Sequence, residues 1–301
     1  MQKIIDEIVQ LKKSTGAVIF AHNYVSGEIQ DIADFVGDSL ELSLKARDCK
    51  ADLILFCGVS FMAETAKVLS PNSTVLLPVP DAGCPMADMA PAKEVAELRK
   101  AKPDAVFVAY VNTTAATKAC VDICCTSANA EKIAASVADD KEIVFLPDRN
   151  LGRNVAKTVG RKYDFWNGCC PIHDKITCEM VMAAKAEHPG YPVIIHPECR
   201  PEVVECADYA ASTGKMLTII KNDPAKGFVI ATEEGILHRM KKEFPDREFF
   251  ALKPCVICTD MKKITLESVR DALKFRQHEV KLDAETIEKA RQPIERMLNT
   301  K

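Results

Sequence analysis

The chain repeats itself at a period of about 87 residues, and that period sets what it can fold into. Cys84, Cys170 and Cys258 are separated by 86 and 88 residues. His22, Tyr110 and His196 are separated by 88 and 86, and Ser39, Ser127 and Thr213 by 88 and 86 again. Such a repeat, each copy ending in one thiol, predicts three similar modules around one metal centre. Three thiolates leave a four-coordinate site with one position open.

The copies align in parallel. Each begins with an amphipathic helix: Ile4, Ile5, Ile8 and Leu11 share one face in the first copy, and Ile176, Met180, Val181 and Ala184 in the third. A β-branched strand follows, at residues 17–21, 105–109 and 193–195, and ends in polar residues: His22-Asn23-Tyr24, Tyr110-Val111-Asn112 and His196-Pro197-Glu198. Seventeen residues beyond His22, Tyr110 and His196 come Ser39, Ser127 and Thr213, in short polar steps that lead into helices. Hydroxyl residues there read first as N-caps. A second strand (53–57, 143–146, 228–231), a further helix and a last strand (74–77, 162–165, 248–251) then lead to each cysteine.

Strands alternating with helices predict right-handed crossovers and parallel sheets with helices on both faces. The expected fold is therefore α/β: three similar α/β/α sandwich modules at residues 1–84, 85–170 and 171–258. Residues 259–301 form a C-terminal helical segment that packs back on them. Ligands bind such sheets at the carboxyl ends of the strands. The polar strand ends, the helix starts and the cysteine linkers all fall at that edge. A pseudo-threefold axis would gather the three edges around one central cavity holding the metal.

With a net charge of −3 and no basic stripe, the chain offers no surface for nucleic acid or membrane. The longest apolar runs, such as residues 53–57, are too short to span a bilayer, and residues 1–16 lack a signal-peptide core. The expected location is the cytoplasm. The thirteen cysteines are then not a disulfide framework. Cys57, Cys178 and Cys206 read as small buried apolar residues.

Three thiolates favour a soft metal. A zinc site with His173 as fourth arm fits the ligand types. Zinc ligands usually come in local pairs, however, and Cys255-Val256-Ile257-Cys258 is the only Cys-x-x-Cys pair, with no second such pair to join it. One ligand per module suits an iron–sulfur cluster better. Ser39, Ser127, Ser212 and Thr213, at helix starts, are placed to hold a polyanion. His22, His173 and His196 lie in the same linkers and strand ends, with Glu198 a candidate base and Tyr24 and Tyr110 candidate proton donors.

Taken together these motifs resemble quinolinate synthase. The resemblance runs from Ala21-His22-Asn23-Tyr24 through Gly37-Asp38-Ser39, Tyr110-Val111-Asn112 and Thr126-Ser127-Ala128-Asn129. It continues through Pro147-Asp148-Arg149-Asn150-Leu151-Gly152, Cys170-Pro171-Ile172-His173, His196-Pro197-Glu198-Cys199 and Ser212-Thr213-Gly214 to Met261-Lys262-Lys263. It implies condensation of iminoaspartate with dihydroxyacetone phosphate, with loss of phosphate and water, to quinolinate, the pyridine precursor of NAD. It also implies one 4Fe-4S cluster per chain, held by Cys84, Cys170 and Cys258, whose open iron binds substrate as a Lewis acid. The implied substrate-binding set is His22, Ser39, Tyr110, Asn112, Ser127, His173, His196, Glu198, Ser212 and Thr213, with Tyr24 contributing proton transfer. Family context implies an aspartate oxidase or dehydrogenase as the source of iminoaspartate. Cys169 and Cys255 stand beside two of the assigned ligands as rivals. Cys170 is preferred because the Cys-Pro-x-His run matches the family, and Cys258 because Met261 follows at the family's distance.

Overall fold

Alternating apolar strands and helices close into three four-stranded parallel sheets in the computed structural model, which describes residues 1–300. The first sheet holds β1 (Val18–His22), β2 (Phe35–Gly37), β3 (Leu53–Cys57) and β4 (Thr74–Leu76). The second holds β5 (Val106–Tyr110), β6 (Ile123–Cys125), β7 (Ile143–Leu146) and β8 (Asp164–Phe165). The third holds β9 (Val193–Ile195), β10 (Tyr209–Ala210), β11 (Gly227–Ala231) and β12 (Glu248–Ala251). Spatial order is the same each time: β2-β1-β3-β4, β6-β5-β7-β8 and β10-β9-β11-β12. The inner strands β3, β7 and β11 are buried along their whole length, as helices on both faces of a parallel sheet require.

The edge strands β2, β6 and β10 lie where sequence reading saw only connections to the next helix. At two or three residues they are too short to show a period. What holds them is a second threefold repeat. Asp34, Asp122 and Asp208 each accept a 2.8 Å hydrogen bond from the backbone N–H of Ile19, Phe107 and Val193, near the start of the neighbouring strand. Each carboxylate also pairs with a cation from the module's first helix: Lys12 at 2.9 Å, Arg99 at 2.5 Å and Lys185 at 2.8 Å. One carboxylate thus ties helix, edge strand and central strand together in every copy.

The first two sheets share one apolar core, in which Phe20, Phe107 and Phe145 meet Leu273 and Ile294 of the C-terminal helices. The third sheet has a separate core on each face. Helix Leu266–Phe275 packs on helix Gln2–Thr15 and β3, and helix Ala284–Asn299 on β6 and helices Ser60–Leu69 and Ala115–Lys118. The C-terminal segment therefore covers the first two modules; its last residue, Lys301, lies outside the described residues. No described helix is long and apolar enough to cross a membrane.

Cys178 and Cys206 depart from expectation. They form a disulfide with a Cα separation of 5.9 Å, joining the start of helix Cys178–Glu187 to the turn after helix Pro201–Val204. Those helices pack together, and a 28-residue spacing carries no sign of it.

Replacing Asp122 by alanine leaves the Phe107 amide without its acceptor, which costs about 1–3 kcal/mol. Asp139→Ala is the control, since Asp139 is fully exposed and 3.8 Å from Arg161. Denaturant melts should show a clear drop for Asp122→Ala and a change within about 0.5 kcal/mol for Asp139→Ala. Equal midpoints would show that the aspartate repeat is decorative.

Candidate active site

Because all strands in a module run the same way, their carboxyl ends face one edge, and the three edges meet at a cavity of about 230 Å³. The first strand of each module delivers His22 and Tyr24, Tyr110 and Asn112, and His196 and Glu198 to its wall. Ser39, Ser127 and Thr213 line it from the next turn. The linkers after each sheet bring Cys84, Cys170 with His173, and Cys258. Ser212 alone of the expected residues does not line it.

Ser212 is instead a buried N-cap, its Oγ accepting from Lys215 N at 3.3 Å. The expected capping roles shift accordingly. Ser39 and Thr213 are first helical residues, and the caps are Asp38 and Ser212. Ser127 lies before Asn129, which caps its short helix without a side-chain bond to it. The reason is geometric: an N-cap carboxylate or hydroxyl must reach back to N2 or N3, as Asp38 Oδ1 does to Leu40 N and Glu41 N at 2.9 Å. The next side chain is thereby released to point elsewhere. Among the described residues, Ser39 and Ser127 hydroxyls make no hydrogen bond, while Thr213 Oγ1 accepts from Asn23 Nδ2 at 3.0 Å. Asn112 Oδ1 is buried without a partner, an unmet acceptor in the cavity wall.

Two histidines occupy matching positions and share a tautomer. His22 Nδ1 accepts from Tyr24 N at 3.2 Å, and His196 Nδ1 from Glu198 N at 3.3 Å. The proton of each ring is therefore on Nε2. Burial lowers the His22 pKa to about 3 and that of His196 to about 4, against the opposing pull of Glu198. Both are neutral N–H donors at neutral pH.

Glu198 is the charge at the centre. Burial alone would raise its pKa, but His196, His173 and the hydrogen bonds from His173 and Tyr110 outweigh that and hold it below the usual carboxylate range. Tyr110 OH donates to Oε1 at 2.5 Å, and His173 Nδ1 lies 2.7 Å from Oε2. Burial and this carboxylate push Tyr24 and Tyr110 well above the ordinary tyrosine pKa, so both remain protonated.

Each cysteine of the triplet sits just before a turn of helix whose backbone N–H groups face its sulfur. These are Ala87 and Met86 for Cys84, His173 for Cys170, and Met261 and Asp260 for Cys258. Burial pushes Cys84 up to about 12 and raises the other two. The thiols hold their protons until a metal displaces them. Neither Cys169 nor Cys255 lines the cavity, and Cys255 is exposed. Sγ of Cys170, a ring nitrogen of His173 and a carboxylate oxygen of Glu198 lie within 4.8 Å of one another, a compact donor set.

Sequence reading missed Thr232 and Glu233, at the polar end of β11. Thr232 Oγ1 is 2.6 Å from Tyr24 OH and 2.8 Å from His173 Nε2. Glu233 is fully buried and accepts from Cys258 N at 3.2 Å and Gly235 N at 2.7 Å. It also pairs at 2.9 Å with Lys262, which donates to Tyr24 O at 2.7 Å. The strand-end rule that singled out His22 and His196 applies equally to the third strand of a module and would have found both.

The model of the family described as quinolinate synthetase A protein matches residues 6–299. The chain is 48% identical over 293 residues to the quinolinate synthase of Methanoregula boonei, covering 97% of both chains. It is 49% identical over 299 residues to that of Caldicellulosiruptor saccharolyticus, covering 99% of this chain and 98% of the relative. Against that of Geobacter metallireducens the identity is 47% over 295 residues, covering 98% and 97%. With this cavity and these relatives, the chain belongs to the quinolinate synthase family and is an enzyme of NAD biosynthesis.

Proposed function

We propose that the protein condenses iminoaspartate with dihydroxyacetone phosphate, with loss of phosphate and water, to give quinolinate. One observation carries the reading: a thiol from each of three modules lines the same cavity as the polar ends of their first strands. Cys84, Cys170 and Cys258 are assigned as ligands of one 4Fe-4S cluster per chain. Three soft donors, each backed by backbone N–H groups that share thiolate charge, suit such a cluster and leave one iron free of protein. When bound, it supplies a Lewis acid beside Glu198 and the histidines. Residues 1–84, 85–170 and 171–258 are read as the three units, each giving one thiol, with 259–301 closing over the first two.

The chain's own residues do the rest. The free hydroxyls of Ser39 and Ser127 and the N-termini of helices Ser39–Asp48 and Thr213–Asn222 hold phosphate and carboxylate groups. Ser212 acts through the cap that sets Thr213. His22 and His196 present Nε2–H donors without adding charge, and Asn112 offers its unmet carbonyl oxygen to an N–H or O–H of the substrates. Fixing two reactants in one orientation removes most of the entropy cost of their meeting. Glu198, ionised, is the base, and Tyr24 and Tyr110, both protonated, are donors. Iminoaspartate is read as coming from an aspartate oxidase or dehydrogenase in the cytoplasm.

Protein purified without oxygen should carry iron and sulfide in 4Fe-4S proportion and form quinolinate only when both substrates are present. Cys258→Ala should lose the iron while Cys255→Ala keeps it. The opposite pattern, or zinc in place of iron, overturns the assignment.

The neutral histidines also predict acid sensitivity. Their folded pKa values of about 3 and 4 lie below the ordinary 6.5, so the unfolded chain binds protons first as pH falls. The stability they contribute is complete above 6.5 and is lost towards about 4 for His196 and about 3 for His22. Each costs about 1.4 kcal/mol per pH unit in that window. Denaturant midpoints should fall from pH 6.5 to 5, less steeply in His196→Gln. A midpoint flat over that range contradicts the neutral pair.

A further inference from the structure

Among the described lysines only Lys118 is fully buried, and the cavity residues named above leave it without a task. It ends helix Ala115–Lys118, just past the turn that carries Asn112. Its Nζ donates to Thr113 O, its one hydrogen bond among the described residues. The Phe61 ring lies 5.4 Å from Nζ, within reach of the attraction between a cation and an aromatic face. No carboxylate among the described residues pairs with it. Glu64, whose charge reaches it, is engaged instead by the backbone N–H of Ala115 at 2.7 Å. Burial lowers the Lys118 pKa to about 8, against the opposing pull of Cys124, Glu64 and Cys84, so the charge is kept at neutral pH.

A lysine in the interior without an acidic partner is heavily penalised by desolvation, and lysines are almost never so placed unless something pairs with them. The surroundings point to the partner. Phe61 lines the cavity together with Cys84, and the N–H of its neighbour Ser60 donates at 2.9 Å to Ala82 O, two residues before that cysteine. On the other side of Lys118, Thr117 Oγ1 donates at 2.8 Å to Ala90 O, just after the helix Pro85–Asp88 that follows Cys84. Lys118 itself does not line the cavity. It is held behind the wall at the Cys84 loop, with the Phe61 ring as its link to the lining. A purely structural lysine would close the turn at Thr113 O and do no more. A neutral donor would serve that turn equally well, without a buried charge.

We propose that Lys118 is the buried counter-charge of the metal centre, offsetting the negative charge gathered where Cys84, Cys170 and Cys258 meet. The inference rests on the cluster assignment made under the proposed function. Three thiolates outweigh the charge of an oxidised 4Fe-4S core, so the filled site is an anion in a low-dielectric interior. Away from the cavity wall, the ammonium acts through its field and not through a bond that would compete with metal for sulfur. Its sign fixes two consequences. A positive charge there makes the filled site easier to hold in the interior, and it makes one further electron easier to accept. In the metal-free chain the same charge is unmatched, so Lys118 weakens the fold until the site is filled.

The test uses Lys118→Met, which removes the charge at nearly the same length. Thermal midpoints of wild type and variant are measured metal-free and after loading with iron and sulfide without oxygen. Comparing the gain on loading cancels what the substitution does to the fold alone. The gain should be smaller in Lys118→Met. The one-electron reduction of the loaded protein, followed by EPR, should become about tenfold less favourable, a shift of ~59 mV to more negative potential. A purely structural lysine would move neither quantity. An unchanged gain, or a potential that does not move in the negative direction, overturns the proposal. Where methionine prevents folding, Lys118→Gln, which keeps an N–H for Thr113 O, is read by the same two measurements. A wild type that takes up no 4Fe-4S cluster removes the cluster assignment and this proposal with it. A wild type whose cluster potential is the same with and without the Lys118 charge removes this proposal alone.

Discussion

The arrangement depends on one buried negative charge. A carboxylate taken out of water costs several kcal/mol unless its lone pairs are met, and Glu198 is nearly inaccessible. Its partners come from different parts of the chain: Tyr110 from the second module, and His173 from the start of the third. Neighbouring backbone is fixed as well. Asn154 Nδ2 donates to Pro197 O and Cys199 O at 2.8 and 2.9 Å, and Asn150 Nδ2 to Glu198 O at 3.2 Å. The charge is tolerable only when the second and third modules are docked, so folding and assembly of the site are one event.

That charge then sets the chemistry around it. It adds to burial in holding the proton on Tyr24, Tyr110 and the thiols of Cys84 and Cys170. His22 and His196 resist its pull because burial outweighs it. The result is that the tyrosines, histidines and thiols of the wall present neutral groups to the Glu198 carboxylate, while Lys175, Asp38, Glu233 and Asp260 complete the lining. Hydroxyls and helix N-termini, with Lys175 on the same lining, can hold anionic groups there without placing a cation against the carboxylate. The capping geometry serves this. Asp38 and Ser212 take the cap positions, and Ser39 and Thr213 are left one residue on, at the cavity wall.

The repeat made the fold legible because identical chemistry at a fixed period survives without any structural knowledge. Cys84, Cys170 and Cys258 could be read that way, as could the strand ends at His22, Tyr110 and His196. The edge strands could not, since two or three residues show no alternation. Asp34, Asp122 and Asp208 obey the same period, but their partners vary between Lys12, Arg99 and Lys185, and an aspartate in a short connection looks like surface. Thr232 and Glu233 escaped for another reason. Their counterparts in the first module are Gly58 and Val59, so no triplet announced them. The Cys178–Cys206 bond depends on how two helices pack, which local sequence does not encode.

Glu233 and Lys262 show what unrepeated residues add to a repeated frame. A buried ion pair seldom stabilises a fold more than apolar residues of equal size would, because desolvating both charges offsets their attraction. Here each partner has a second task. Glu233 Oε1 receives the backbone N–H of Cys258, and Lys262 Nζ reaches the carbonyl of Tyr24. The pair therefore ties the loop of the third thiol to the turn that carries Tyr24, across the boundary between the third and first modules. Asn23 to Thr213 and Arg239 to Asn23 brace the same boundary. A threefold repeat alone can bring three edges together, but it leaves their relative position to packing. These asymmetric polar contacts set that position, and with it the distance between the proposed metal ligands and the groups that move protons.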